Sequence, residues 1–523
     1  MYRQSSDNAM CFNGEFEPSS FLDVGRDQPF HYLRTRRHGQ PDLAKLHRLR
    51  DELGDWDDAE QRDRFFRELD AVFGHWVGQL PKLRDIFRPE QIDWLLTRCV
   101  TDNGAVDSAM DDFSGGGGGS RAERFVKFVA RTGYRDDEPR VDEDGKPRLS
   151  RTTAVHRAAQ SDRLPNRDVV VRELFRIYDR FEANYKDPVS GLTHFHIACK
   201  HGCVVVAWKF LELGLDPDLR SCGHYGWVDP PLHLAVLGGH RRLAELLLKR
   251  RADPNLANAN GETPLHAICA NRIEGDWAKW FIEANDGEGR RRRRVRLDAI
   301  DGWGRTALHW AAASVAPDAV DLLLSHGADL ATFRFPTGLR YFDERFTLTE
   351  GNLDRRARLA SGALIVVELL QNRGYELRRS EVTAIMALFR KLRLFEKSTD
   401  FAKYRHDSEW AENTAKRITI SPRASLYDLI RGPREEAEIT PRDVFEFARS
   451  RSCYLIDRYQ EACVARLCEA MSRGFFRRWA VGPLRELMHR RLSIERCAMI
   501  VENLKNEDLF NICLAAAMKD SNI

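Results

Sequence analysis

The sequence lacks the long apolar stretch of a membrane-spanning helix, since no uninterrupted run approaches the ~20 apolar residues that cross a bilayer. Its first residues, MYRQSSDNAMCFNG, have no apolar core of the signal-peptide kind. Both absences predict an intracellular chain, cytoplasmic or nuclear, with no membrane partner. An excess of one charge is lacking as well. The 82 basic and 79 acidic residues among 523 leave a net charge of +3, so the whole-chain field gives no reason to expect nucleic acid, and any basic patch must be local. Cysteine pairing is sparse: among eleven cysteines there is no CxxC, and Cys199 with Cys203 has no His or Cys pair at finger spacing. That argues against zinc. Cys463 and Cys468 in EACVARLCEA fall in a helical apolar pattern and are expected to be reduced core residues. There is no P-loop, no GxSxG and no cysteine with an obvious histidine partner. The chain is therefore expected to be no enzyme, with no catalytic residues, cofactor or metal.

What the sequence does have is a repeat. TTAVHRAA, THFHIACKHG, PPLHLAVLGGH, TPLHAICA and TALHWAAA place His156, His196, His233, His266 and His309 at one point of a shared motif, 40, 37, 33 and 43 residues apart. Thr263 can cap a helix through a backbone N–H, and Pro264 suits the first turn, where its missing N–H matters little. In HRRLAELLLKRRADPN, Leu243, Leu246 and Leu247 make one apolar helical face. Gly327 in GADL stops the equivalent helix, because glycine tolerates the left-handed conformation. Each unit reads as a helix pair followed by an exposed loop. The histidines recur in register, so they read as turn braces rather than as ligands of one metal.

These segments, GETPLHAIC and ADPNLANANGETPLH above all, resemble ankyrin repeats, one interval keeping that family's 33-residue period while the others carry loop insertions. The resemblance implies an all-α solenoid whose loops and short helices line a concave, protein-binding wall. Client-contacting residues expected on the loop tips are Ala259, Asn260 and Glu262, with Gly302, Trp303 and Arg305 one repeat later. Tyr225 and Trp227 in HYGW, with Trp303, read equally as interface anchors and as local packing of the longer loops.

Around the repeats lie less regular parts. Residues 1–148 form an N-terminal helical region, with helical spacing in QRDRFFRELDAVFGHW, QIDWLLTRCV and AERFVKFVARTGY. A flexible glycine run, Gly115 to Gly119, divides it at 114–120. The repeats occupy 149–335, and a degenerate copy or connector, SGALIVVELLQNRGYEL, fills 336–379. Arg290 to Arg294 sit in a solvated interval of the array and read either as a charged loop or as a nuclear-import signal. From 380 to 518 the pattern stays helical, and the helix in EACVARLCEAMSRGFFRRWAVGPLRELMHRR is expected to break near Gly482 and Pro483.

The repeats together with SLYDLI, DVFEFARS, FFRRWA and NEDLFNICLAA resemble the ankyrin proteins with a C-terminal PRANC domain, found in poxviruses, intracellular bacteria and parasitoid insects, and most the insect members. In that family the C-terminal end is related to the F-box, which docks on Skp1 of a cullin ubiquitin ligase. The resemblance implies a partner-binding set in 491–516: Leu492, Glu495, Ile500, Val501, Leu504, Asp508, Leu509, Ile512 and Leu514. Ser493 stands where the F-box has proline, and the third helix is abbreviated, as in the poxviral relatives. Apart from any family, Ile494, Cys497, Val501 and Leu504 make one helical face, and Asn506 can cap a second helix. The implied function is a substrate adaptor, with a client on the ankyrin wall and Skp1/cullin ligase at the C-terminus. The alternative is a binding scaffold whose C-terminal helices only cap the solenoid.

Overall fold

The computed structural model describes residues 41–73, 76, 79–102, 120–271, 276–286, 293–337, 353–395, 410, 414–422, 424–431, 439–450, 456 and 459–520. The run Gly115 to Gly119, residues 1–40 and Arg290 to Arg292 lie outside these. The described residues are mostly helical, 58% of them, and the chain divides into two compact units, 1–253 and 254–523.

In the first unit three helix pairs carry the first three histidine motifs: Ala154–Gln160 with Arg167–Leu174, His194–Lys200 with Val204–Glu212, and Pro231–Leu237 with Arg241–Lys249. First helices stack on first helices, and the second helices Val204–Glu212 and Arg241–Lys249 pack on each other. The apolar face expected in the third pair is real, with Leu243, Ala244, Leu246 and Leu247 all buried. Each such leucine contributes about 2 kcal/mol relative to exposure. Upstream, Pro89–Thr101 packs on Ala154–Gln160 and Arg121–Arg131 on Arg167–Leu174, so the N-terminal helices extend the same pairwise layering. Ser120 starts the second of them by accepting a hydrogen bond from the Glu123 N–H at 3.2 Å.

In the second unit the fourth and fifth pairs are Pro264–Ala270 with Trp277–Asn285 and Ala307–Ala313 with Pro317–Ser325. Gly327 (φ 88°) ends the last of these, where the Ala328 N–H bonds back to the Leu323 carbonyl at 3.0 Å. The degenerate copy supplies Leu353–Asn372, which packs on Pro317–Ser325 and stops in the same way at Gly374, with the Tyr375 N–H on the Leu370 carbonyl. Beyond it come Arg379–Lys391, Leu426–Arg431, Pro441–Arg449, Gln460–Leu487, Ile494–Glu502 and Asn506–Asp520. Phe389, Phe395, Phe476 and Phe510 meet edge to face or tilted, with centroids 5.3–6.0 Å apart, and form the core of this end.

The mostly helical structure is consistent with the expected all-α class, and its few strands are two short antiparallel pairs, Cys222–Gly223 with Gly226–Trp227 and Thr419–Ser421 with Ala424–Ser425. The first hairpin closes against the preceding repeat so tightly that a Cβ on Gly191 would come within 2.4 Å of the Gly223 nitrogen. One expectation is corrected: the long helix does not break at Gly482 and Pro483, since Gln460–Leu487 runs through both. Proline deprives the Trp479 carbonyl of its helical N–H partner, and the Cys513 thiol of the last helix donates to that carbonyl instead, at 3.7 Å.

Candidate partner-binding surfaces

The histidines brace the repeats. In three of the five motifs the threonine N–H at the helix start donates to the imidazole Nδ1 at 3.1 Å: Thr153 to His156, Thr263 to His266 and Thr306 to His309. His196 Nδ1 meets the Thr193 hydroxyl at 2.8 Å. The far nitrogen then reaches the carbonyl of the next loop: His156 to Leu192, His196 to Leu219 and His266 to Arg305, at 3.0–3.2 Å. Pro230 replaces the threonine before His233 and supplies neither an N–H nor a hydroxyl. Burial pushes the imidazoles of His156 and His196 down to about 4, and those of His266 and His309 below their usual range. Neutral rings fit the bracing role. Among the described residues no group of three or more His, Cys, Asp or Glu could hold a metal ion.

The braced loops project side chains outward. In the first unit the hairpin tip leaves Tyr225 83% and Trp227 64% exposed. In the second unit Ala259 and Asn260 are exposed, while Glu262 is half-buried and its side chain accepts from Asn258 Nδ2 at 3.1 Å. Gly302 is exposed, and its N–H bonds to the Asn260 carbonyl at 2.7 Å, which ties the two loops together. Arg305 is held from inside: its Nε donates to the buried Asp301 carboxylate at 2.7 Å, and its guanidinium lies between the rings of Trp303 and Trp310, 4.3 and 4.1 Å from their centroids. Trp303 is therefore half anchor and half packing, stacked on Arg305 yet 61% exposed. Sequence reasoning passed over Ile300, which is exposed on the same loop. Its signal was position alone, three residues before Trp303.

At the C-terminal end the expected set divides by burial. Val501 and Leu509 are buried, Leu492, Leu504, Ile512 and Leu514 half-buried, and Glu495, Ile500 and Asp508 exposed. Both helices pack on Gln460–Leu487, and the last also on Arg379–Lys391. Of the predicted helical face, Cys497 and Val501 are buried, but Ile494 is 53% exposed. Ile500 (41%) and Met499 (65%) of Ile494–Glu502 are exposed as well. Met499 was not anticipated, because a lone methionine outside the apolar stripe carries no sequence signal. Ser493 caps this helix by accepting from the Arg496 N–H at 3.4 Å, and its hydroxyl holds the Glu495 carboxyl below its usual range. Asn506 is not the cap expected of it. It is buried, with Nδ2 donating to the Glu469 carbonyl and the Ser472 hydroxyl at 3.2 and 2.9 Å. Asp508 serves instead, accepting from the Lys505 N–H at 3.2 Å.

This architecture defines the class: the chain carries ankyrin repeats, and residues 232–333 match the family model described as ankyrin repeats (3 copies). Among similar proteins, ankyrin repeat and IBR domain-containing protein 1 of Homo sapiens is 31% identical over 146 residues, 23% of this chain and 13% of that protein. Neurogenic locus notch homolog protein 1 of Mus musculus is 28% identical over 154 residues, 29% of this chain and 6% of the relative. B-cell lymphoma 3 protein homolog of Mus musculus is 28% identical over 149 residues, 28% of this chain and 32% of the relative. The similarity thus spans under a third of each of these proteins. Ankyrin repeats imply a role in protein–protein interaction. No helix of the described residues is long and apolar enough to cross a membrane.

Proposed function

We propose that the chain is a non-enzymatic adaptor of the PRANC kind, whose ankyrin loops hold a client protein while its C-terminal helices dock on Skp1 of a cullin ligase. Proximity is then the mechanism, and the ligase supplies the chemistry. The observation that supports docking over capping is the division of labour at the C-terminal end. The helix laid on the last repeat is Leu353–Asn372, whereas Ile494–Glu502 packs on the long helix and turns Ile494, Met499 and Ile500 outward. Large apolar side chains left exposed on a helix that the fold already holds are available to a partner, and their burial there would favour binding.

The test is direct binding of purified Skp1 to the full chain by calorimetry. Ile500→Asp alters an exposed side chain, so it should weaken binding about tenfold or more without moving the melting temperature. Leu509→Asp is unsuitable, because that side chain is wholly buried and its loss would unfold the end of the chain. No measurable binding by the wild-type protein would sink the adaptor reading. The burial of Val501 and Leu509 favours the other reading, a scaffold whose last helices serve only to close the fold. On that reading Ile500→Asp changes neither ligase association nor stability.

A further inference from the structure

Three helices of the second unit leave a trough that neither reading uses. It runs between Arg379–Lys391, the end of Gln460–Leu487 and Asn506–Asp520. One recess, about 260 Å³, is lined by Val382, Thr383, Trp479, Pro483, Cys513 and Ala516. It is open because these side chains are short, apart from Trp479. A second recess, about 430 Å³, shares Arg379 and Ala516 with the first and is bordered by Glu486, His489, Arg490 and Lys519. The floor is apolar and the mouth basic. Glu486 is the one acid among the lining residues, and the Arg379 guanidinium already engages both of its oxygens. Arg490 and Lys519 are exposed, and Arg490 lies near enough to Glu486 to help hold that carboxyl below its usual range.

The turn that carries Arg490 adds to this. His489 and Arg490 are both left-handed, with φ of 51° and 61°. L side chains are disfavoured there and glycine is easy. A helix stop needs one such residue. Here a second follows, and it is an arginine at the mouth of the trough.

We propose that this trough is a peptide site, filled by an acidic segment of a partner protein that sets one bulky apolar side chain against Trp479 and Pro483 while its carboxylates meet Arg490 and Lys519. Charge complementarity selects the occupant's sign, and the short apolar recess beneath admits a single large side chain rather than an acyl chain. The site shares no residue with the exposed side chains of Ile494, Met499 and Ile500, so it stands apart from ligase docking.

Fluorescence anisotropy on the full chain tests it with three labelled synthetic peptides: one rich in Asp and Glu around a single Phe, one with Ser replacing that Phe, and one with Gln replacing every acid. The first should bind saturably and more weakly as salt rises, and the other two about tenfold less tightly or worse. Arg490→Gly and Lys519→Glu should each weaken binding up to about fivefold. The glycine variant should melt no lower than wild type, which a merely structural arginine would not allow. Thr383→Trp, filling the recess from its rim, should abolish binding, and Ile500→Asp should leave it intact. Equal binding of the acidic and Gln-substituted peptides, wild-type affinity in both charge variants, or phosphatidylserine vesicles bound in preference to the peptide would overturn the proposal.

Discussion

A histidine three residues after a threonine does two jobs in each well-formed repeat: one ring nitrogen finishes the helix start and the other holds the next loop. Both require a neutral, buried ring, which has a consequence for pH. In the unfolded chain the imidazole takes up a proton near its ordinary value of 6.5, whereas in the fold burial keeps His156 and His196 neutral down to about 4. Between those values the unfolded chain binds more protons, so stability is complete above pH 6.5 and falls as pH drops toward 4. The slope is ~1.4 kcal/mol per pH unit for each histidine at most. The Asp187 carboxyl is pushed up by burial but pulled further down by hydrogen bonds from Ser190, Thr152 and Gln160, so its contribution is lost only below 3.8. Urea midpoints measured from pH 7.5 to 4.5 should therefore hold level down to about pH 6.5 and decline below it, and His196→Gln should flatten that decline. A midpoint constant down to pH 5 contradicts the bracing role.

At the scale of elements, Gln460–Leu487 is the instructive case. Its sequence predicts a break at Gly482 and Pro483, and by local rules that is sound. The helix continues because a thiol 30 residues downstream takes up the carbonyl that the proline leaves, a contact no local pattern announces. Pro483→Ala would restore an N–H to the Trp479 carbonyl and should stabilise the chain by about 1 kcal/mol or more. Cys513→Ala should cost on the order of 1 kcal/mol alone and less in the Pro483→Ala background. Chemical denaturation of the double-mutant cycle reads this coupling, and strictly additive effects would remove the thiol from the account. The same distinction between local and distant causes explains what was legible. The five helix pairs were readable, because capping threonines, apolar spacing and terminal glycines act within a few residues. The hairpin at Cys222–Trp227 was not, since two-residue strands show no alternation and rest on the close approach of Gly191 and Gly223. At the partner surfaces, Tyr225 and Trp227 were legible as residues on a loop. The inward side of Val501 was legible from its apolar face with Cys497, but that of Leu509 was not, because the long helix buries it rather than its neighbours in sequence.

At the scale of the whole molecule, the boundary between the two compact units falls at Asp253 and Pro254, inside the repeat array rather than at either end of it. Each unit has fully buried aromatic side chains of its own, Phe195 and Phe210 in the first, Phe281, Phe389, Phe476 and Phe510 in the second. Repeat arrays couple through nearest neighbours, so a seamless array melts as a single cooperative block, whereas units with separate cores depart from two-state behaviour. His196→Ala and His266→Ala remove the same brace from different units, and each should cost about 1–2 kcal/mol by leaving a helix start and a loop carbonyl unpaired. For units of this size that lowers a melting temperature by about 2–8 °C. Differential scanning calorimetry should resolve two transitions in the wild-type chain, with His196→Ala moving one and His266→Ala the other. A single transition shifted equally by both variants would mean that the repeats fold as one array across Asp253 and Pro254.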